Sequence, residues 1–294
     1  MANLKEVRNR ITSVGSTMQI TSAMKMVSAA KLKRAQDAIV QMRPYADKLK
    51  EILQNLSASL DTSENAYARN TEGKNVLFIV ISSNRGLAGG FNANVVKKAW
   101  SLIRNEYADS KCSVLCIGKK GNDAFRKTEY HIHGTDLPHH LNELFDHLDF
   151  EHVAPVAEKI MHAFVTNQFD KVYLVYNQFK NAAVQNAVAE RFLPIETQSG
   201  AAGQSKAQVD YIFEPSKEFI VSDLIPRSLK TQFYKALLDS HASEHGARMT
   251  AMHKATDNAK EMLRDLKISY NKARQAAITN EILEIVAGAE ALNG

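Results

Sequence analysis

Residues 226–292 read PRSLKTQFYKALLDSHASEHGARMTAMHKATDNAKEMLRDLKISYNKARQAAITNEILEIVAGAEAL, and the reading of this stretch decides the fold. No proline follows Pro226, and Gly246 and Gly288 are the only glycines before the final residue. The rest is dominated by Ala, Met, Leu, Glu, Lys, Arg and Gln, which cost a helix least. Proline is tolerated in a first helical turn, so Pro226 reads as a start signal for a long helix within residues 220–294. At roughly 1.5 Å per residue the stretch would extend about 100 Å, deeper than any ordinary globular core. Leu229, Phe233, Ala236, Ser240, Ala247, Ala251, Ala255, Ala259, Met262, Leu266, Tyr270, Ala273 and Ala277 step mostly by three and four. Such a narrow stripe reads as a coiled-coil seam with small residues that admit a close partner, or as a long surface helix of a bundle.

The partner is expected at the other end of the chain. Within residues 1–60, Leu4, Val7, Ile11, Val14, Met18 and Thr21 repeat the same spacing. A shifted stripe of Ala23, Val27 and Ala30 then suggests a stutter, and Pro44 suggests a kink. Two long terminal helices around a compact middle pack most simply as an antiparallel pair. The fold class expected is α/β: a long antiparallel coiled coil of the N- and C-terminal helices plus a Rossmann-like domain over residues 74–215.

Charge narrows the partners. The net charge is +5, yet residues 1–60 alone carry ten Lys/Arg against four Asp/Glu. A basic helix suits an acidic protein, an anionic membrane surface or nucleic acid. Its charges surround the helix and no aromatics interleave them for base stacking, so nucleic acid is disfavoured. Cys112 and Cys116, four apart in a strand-like run, lie too far apart to be bridged and read as reduced, buried thiols of a cytosolic protein. No signal peptide, transit segment or membrane-spanning run is visible.

The middle alternates strand and helix. Val76–Ser82 is an unbroken apolar run suited to a strand covered on both faces. Helices are expected near 91–107, 121–127 and 152–168, with strands at 113–117 and 171–176. Residues 179–192 fit either strand or helix, residues 196–208 read as a loop, and residues 210–214 as a short strand. The alternation argues for a parallel sheet.

Two features tempt a chemical reading. The glycine loop Gly86–Gly90 follows the first strand, where phosphate is often cradled, but its spacing is not G-x-G-x-x-G. Lys119 and Lys120 also stand where an acid would bind a ribose. His131, His133, His139, His140, His147 and His152 crowd a short stretch, but match no common zinc spacing. No catalytic, cofactor-binding or metal-ligating set emerges.

The terminal motifs carry a resemblance. Ile278-Thr279-Asn280-Glu281-Ile282-Leu283-Glu284-Ile285-Val286-Ala287-Gly288-Ala289-Glu290-Ala291 resembles the C-terminal signature of the gamma subunits of rotary F-type ATP synthases, I-T-x-E-x-x-E-[LIVM]-x-x-G-x-x-A. Tyr270-Asn271-Lys272-Ala273-Arg274-Gln275-Ala276, Arg10-Ile11, Ile20-Thr21, Ala23-Met24, Arg85-Gly86-Leu87 and Glu214-Pro215 fit the same family. Asn84 stands where the family generally has Asp, Ala88 where Cys is common, and Lys25 reverses the charge of a more usual Glu.

The resemblance implies a bacterial rotor shaft with no active site of its own and no cofactor. It would sit as one copy inside three alpha and three beta subunits, with the epsilon subunit and the c-ring at its foot. Arg274, Gln275, Thr279 and Met24 would contact beta subunits. Ile282, Ile285, Val286 and Leu292 would form a bearing tip, and Tyr211 and Glu214 would belong to the c-ring and epsilon foot. Membrane association would be indirect, through the c-ring, at the cytoplasmic face of the plasma membrane.

Overall fold

The computed structural model describes residues 4–59, 66–69, 73–132, 137–138, 141–195 and 217–293, with residues 47, 50, 51, 53–59, 217–221, 292 and 293 as backbone only. Strand β1 (Asn75–Ile81) occupies an inner position of a four-stranded sheet ordered β2-β1-β3-β4. Its neighbours β2 (Lys111–Ile117) and β3 (Lys171–Phe179) run parallel to it. Consecutive strand residues face opposite sides, so the unbroken run of Val76–Ile81 needs a cover on each. Val76, Phe78 and Val80 pack with Val95 and Ala99 of helix α2 (Phe91–Ser101) and with Leu102 and Ile103 of the π-helical turn after it. Leu77, Ile79 and Ile81 pack with Val153, Ala157 and Ile160 of α4 (Phe150–Val165) and with Ile225, Leu229 and Phe233 of the C-terminal helix.

The ambiguous stretch 179–192 resolves as the hairpin from β3 into β4 (Gln185–Leu193), which pairs antiparallel to β3. The sheet is therefore mixed, not all parallel. Most of β4 is only half buried, as suits an edge strand, and its Ala, Asn and Gln side chains carry neither a clear two-residue nor a 3.6-residue period. A short helix α3 (Lys119–Phe125) follows β2. The strand expected at 210–214 lies outside the described residues.

Helix α1 spans Leu4–Ser59 and helix α5 Lys217–Asn293. Pro44 lies within α1, where the helix is continuous, and α5 begins nine residues before Pro226. Proline removes one helical hydrogen bond and crowds the preceding turn. Burial of Ile225 and Leu229 on the sheet holds α5 in helical form around that site. Two compact units cut across these helices: one takes α1 up to Ser28 with α5 from Arg248, the other Ala29–Ala247.

The first unit is an antiparallel pair. Thr21 Oγ1 lies 2.9 Å from Thr256 Oγ1, Lys25 Nζ donates to His253 Nδ1 over 3.4 Å, and Gly15 lies beside Leu263. The expected stutter is absent. Ala23 and Ala30 are exposed and Val27 is 58% exposed, whereas Thr21, Lys25, Ser28 and Leu32 continue the sheltered row of Val7, Ile11, Val14 and Met18 without a break. Polar residues hid the seam. Thr21 and Ser28 return their hydroxyls to the backbone carbonyls of Met18 and Met24, which lets them sit in the seam as small residues. On α5, Leu263 takes the seam position expected of Met262, which is 54% exposed.

Gly118 ends β2 with φ of 99°, and a Cβ there would collide with the Ser82 carbonyl oxygen. Gly118→Ala is expected to destabilise the α/β domain by roughly 2–4 kcal/mol, read as a lower urea midpoint at unchanged slope.

Candidate functional site

The glycine loop joins β1 to α2 at the carboxyl end of the sheet, where open α/β sheets bind ligands. Beside it, the backbone donors at the start of α3 are turned toward the residues that leave β1. Gly121 N–H donates to Ser82 Oγ at 2.7 Å, Lys119 N–H to Asn84 Oδ1 at 3.1 Å and Lys120 N–H to the Ser83 carbonyl at 3.0 Å. Ser83 N–H donates to Asn92 Oδ1 at 2.9 Å. These backbone donors, the kind that would cradle a phosphate, serve the chain itself. Leu87 and Gly89 take positive φ, which folds the loop back. Ala88 and Phe91 then pack against Ala247 of α5. Asn177 of β3 fixes the start of α2 by donating to the Phe91 carbonyl at 3.0 Å. The carboxyl edge of the sheet is a seat for the chain's own helix.

Gly246 completes that seat. An added Cβ would lie 3.2 Å from the Ala182 carbonyl oxygen in the β3–β4 turn, a contact tight enough that the turn would have to give by a few tenths of an ångström. This contact was missed from the sequence, although a lone glycine inside a proline-free helix is its visible signal.

Several of the described titratable groups have partners within the fold. His131 Nε2 lies 2.8 Å from Asn122 Oδ1. His152 stacks on His147 and meets Asp149, the N-cap of α4, whose carboxyl is held below its ordinary range by the His152 backbone N–H and then by its ring. His133, His139 and His140 lie outside the described residues, and no group of three or more metal-ligating side chains occurs among those described. Cys112 and Cys116 are free, and burial pushes the Cys116 thiol up to about 12, so it stays protonated and unreactive. On α5, His241 and His245 face each other with Nε2 atoms 3.1 Å apart, and Phe145 stacks on His241. Burial first, then Lys31, lowers His241 to about 4.

The outer part of α5 is dressed differently. Leu263, Leu266, Tyr270, Ala273 and Ala277 are half-buried at alternating steps of three and four, while Arg274 and Gln275 between them are exposed. Thr279 is exposed, and its hydroxyl donates to the Gln275 carbonyl. Met24 of α1 is half-buried. Beyond Ala277 every described side chain is exposed; Ile282 is 55% and Ile285 71% exposed, Val286 is exposed too, and nothing lies within 4 Å of a Cβ built on Gly288. Leu292 belongs to the helix, but its side chain is outside the described set, as are Tyr211 and Glu214. A helix end with apolar residues on most faces and no cover within its own unit is a surface made for another molecule.

The family described as ATP synthase matches residues 3–292. The ATP synthase gamma chain of Flavobacterium johnsoniae is 61% identical over 298 residues, covering all of both chains. This chain belongs to the ATP synthase gamma family. The gamma chain of Chlorobaculum tepidum is 46% identical over 297 residues, covering 99% of each chain. Among solved structures, a chain of the Tetrahymena thermophila mitochondrial ATP synthase central stalk and c-ring is 25% identical with a TM-score of 0.56, covering 80% of this chain and 99% of that one. A Euglena gracilis mitochondrial ATP synthase chain shares the fold at a TM-score of 0.65 and 20% identity, covering 98% and 94%.

Folded His241 holds fewer protons than free imidazole between pH 6.5 and about 4. Stability contributed by burying it neutral is therefore present above 6.5 and lost as pH falls through that window. His241→Gln is expected to flatten this segment of the pH profile, checked by urea midpoints of both chains at several pH values down to 4.

Proposed function

We propose that the chain is the central shaft of a bacterial ATP synthase, coupling rotation of a membrane c-ring to sequential conformational change in three catalytic beta subunits. The observation that carries the reading is the long bare end of α5, whose apolar residues are exposed on most faces in a member of the gamma family. One copy stands within three alpha and three beta subunits. A single asymmetric shaft cannot touch three equivalent beta subunits alike, so each is biased toward a different nucleotide affinity. Rotation carries that bias from site to site, a population shift driven by differential contacts.

The stiffness this requires comes from the seam. Small residues such as Ala259, Thr256 and Ser28 admit close approach of backbones, and a close-packed pair twists less than a loose one. Ile282, Ile285, Val286 and Leu292 act as a bearing, since apolar contacts are non-directional and few bonds break as the tip turns. Arg274 and Gln275, exposed side by side, reach an open beta subunit, where arginine's planar fork favours a carboxylate. Thr279, on the same outer part of α5, and Met24, on α1, make further contacts with beta subunits in this reading. Tyr211 and Glu214 form the foot on the c-ring, with the epsilon subunit on the α/β domain.

The shaft itself is non-catalytic and carries no cofactor. Support comes from the carboxyl edge of the sheet, where Ala88 and Phe91 receive Ala247 instead of a ligand. No described helix is long and apolar enough to cross a membrane. In this reading the chain meets the cytoplasmic face of the plasma membrane through the c-ring.

Reconstitution with cognate alpha and beta subunits tests the reading. A complex of three alpha, three beta and one copy of this chain that hydrolyses ATP supports it; a chain that stays out of the hexamer and binds ATP alone refutes it. In the assembled complex Arg274→Ala is expected to lower the rates of ATP synthesis and hydrolysis while leaving the melting temperature of the free chain within a few degrees. Removal of residues 287–294 is expected to be partly tolerated, because a steric bearing does not depend on each contact; complete loss of assembly would make the tip a specific dock.

A further inference from the structure

One guanidinium ties both long helices to the sheet. Arg43 of α1 donates through Nη2 to the carbonyl oxygen of Phe179, the last residue of β3, at 3.1 Å, and to Asp239 Oδ1 of α5 at 3.2 Å. The Asp239 side chain is 1% exposed, and its second oxygen accepts no hydrogen bond from the described residues. Burial raises the Asp239 carboxyl above its ordinary range, and Arg43 is the largest influence opposing it. A buried acid with so few partners is costly in a core. Its position next to Arg43 calls for a reason other than stability.

The surrounding contacts give that reason. Where α5 lies on the sheet, Ile225, Leu229, Phe233 and Ala236 meet an apolar surface that resists separation but not sliding. Polar ties exist from α5 to single elements: Gln232 donates to Glu190 of β4 at 2.8 Å, and Lys230 pairs with Glu158 of α4. Of the hydrogen bonds described here, those of Arg43 join α1, α5 and the sheet at one group. Hydrogen bonds from a planar fork have direction, so turning either helix about its axis stretches them.

We propose that Arg43 is a positioning residue for torque transfer, locking the rotation of α1 and α5 to the α/β domain through Phe179 and Asp239. The inference rests on the shaft reading above. Torque entering at the domain reaches two helices at once, without one of them slipping on the apolar surface and storing the input as twist.

The test uses the whole membrane-reconstituted ATP synthase carrying Arg43→Met, Arg43→Lys or the double variant Arg43→Met with Asp239→Leu. The double variant leaves no orphaned buried charge, so it keeps the fold, and Arg43→Lys keeps a cation beside Asp239. Three quantities are read on assembled complexes: the ATP synthesis rate under an imposed proton gradient, the hydrolysis rate, and the elastic twist between the α/β domain and the hexamer in single molecules under load. The expected result is a larger twist and a several-fold fall in the ratio of synthesis to hydrolysis in the double variant, with a smaller change in Arg43→Lys. Such a ratio does not move when the only defect is a lower melting temperature. Wild-type twist and ratio in the double variant, in complexes of normal stoichiometry, would overturn the proposal. Failure of the unmutated chain to enter the complex would instead remove the shaft reading on which it rests.

Discussion

Burial of β1 on both faces is the constraint from which the rest of the domain follows. Six successive residues, Val76 to Ile81, have no side free for water. One face is closed locally by α2 and the turn that follows it, within a few tens of residues of the strand. The other is closed by α4 together with Ile225, Leu229 and Phe233, which arrive from almost 150 residues downstream. The C-terminal helix is thus part of the domain core before it becomes anything else. That docking explains how α5 persists through Pro226, since the apolar surface buried around it outweighs one lost hydrogen bond.

An α/β sheet with helices on both faces usually offers a ligand crevice at the carboxyl ends of its strands. In this chain that edge has been given to α5. Ala88 and Phe91 meet Ala247, the β3–β4 turn meets Gly246, and the backbone donors at the start of α3 bond to Ser82, Ser83 and Asn84. The same backbone geometry that could hold a phosphate here holds a helix. The residues of α5 beyond Ala277, in the other unit, are covered by nothing within that unit. Exposed apolar surface and a rigid root are complementary requirements of a part that must turn inside other subunits.

Much of this was readable from residue order. The composition and spacing of residues 226–292 announce a long helix with a narrow seam, and the run at 76–82 announces a strand covered twice. The terminal motif points to the gamma family through residues that the structure leaves exposed. The seam of α1 was read correctly as far as Thr21 and misread beyond it, where Lys25 and Ser28 replace apolar residues. Hydropathy sees a hydroxyl as polar, whereas in a helix that hydroxyl can return to a carbonyl one turn back and leave a small, packable side chain.

Local sequence thus determined helix, strand and family, since each depends on side chains within a few residues of one another. Tertiary structure decided the rest. It set the antiparallel edge of β4, the closure of the glycine loop by α5, the fit of Gly246 against Ala182, and the meeting of Arg43, Asp239 and Phe179. The last three join residues distant in the chain, such as Arg43 and Asp239, and no periodicity records such a pairing. Only the packing of long helices onto the sheet brings those groups within hydrogen-bonding distance, because burial of apolar surface, not local preference, chooses where the helices lie.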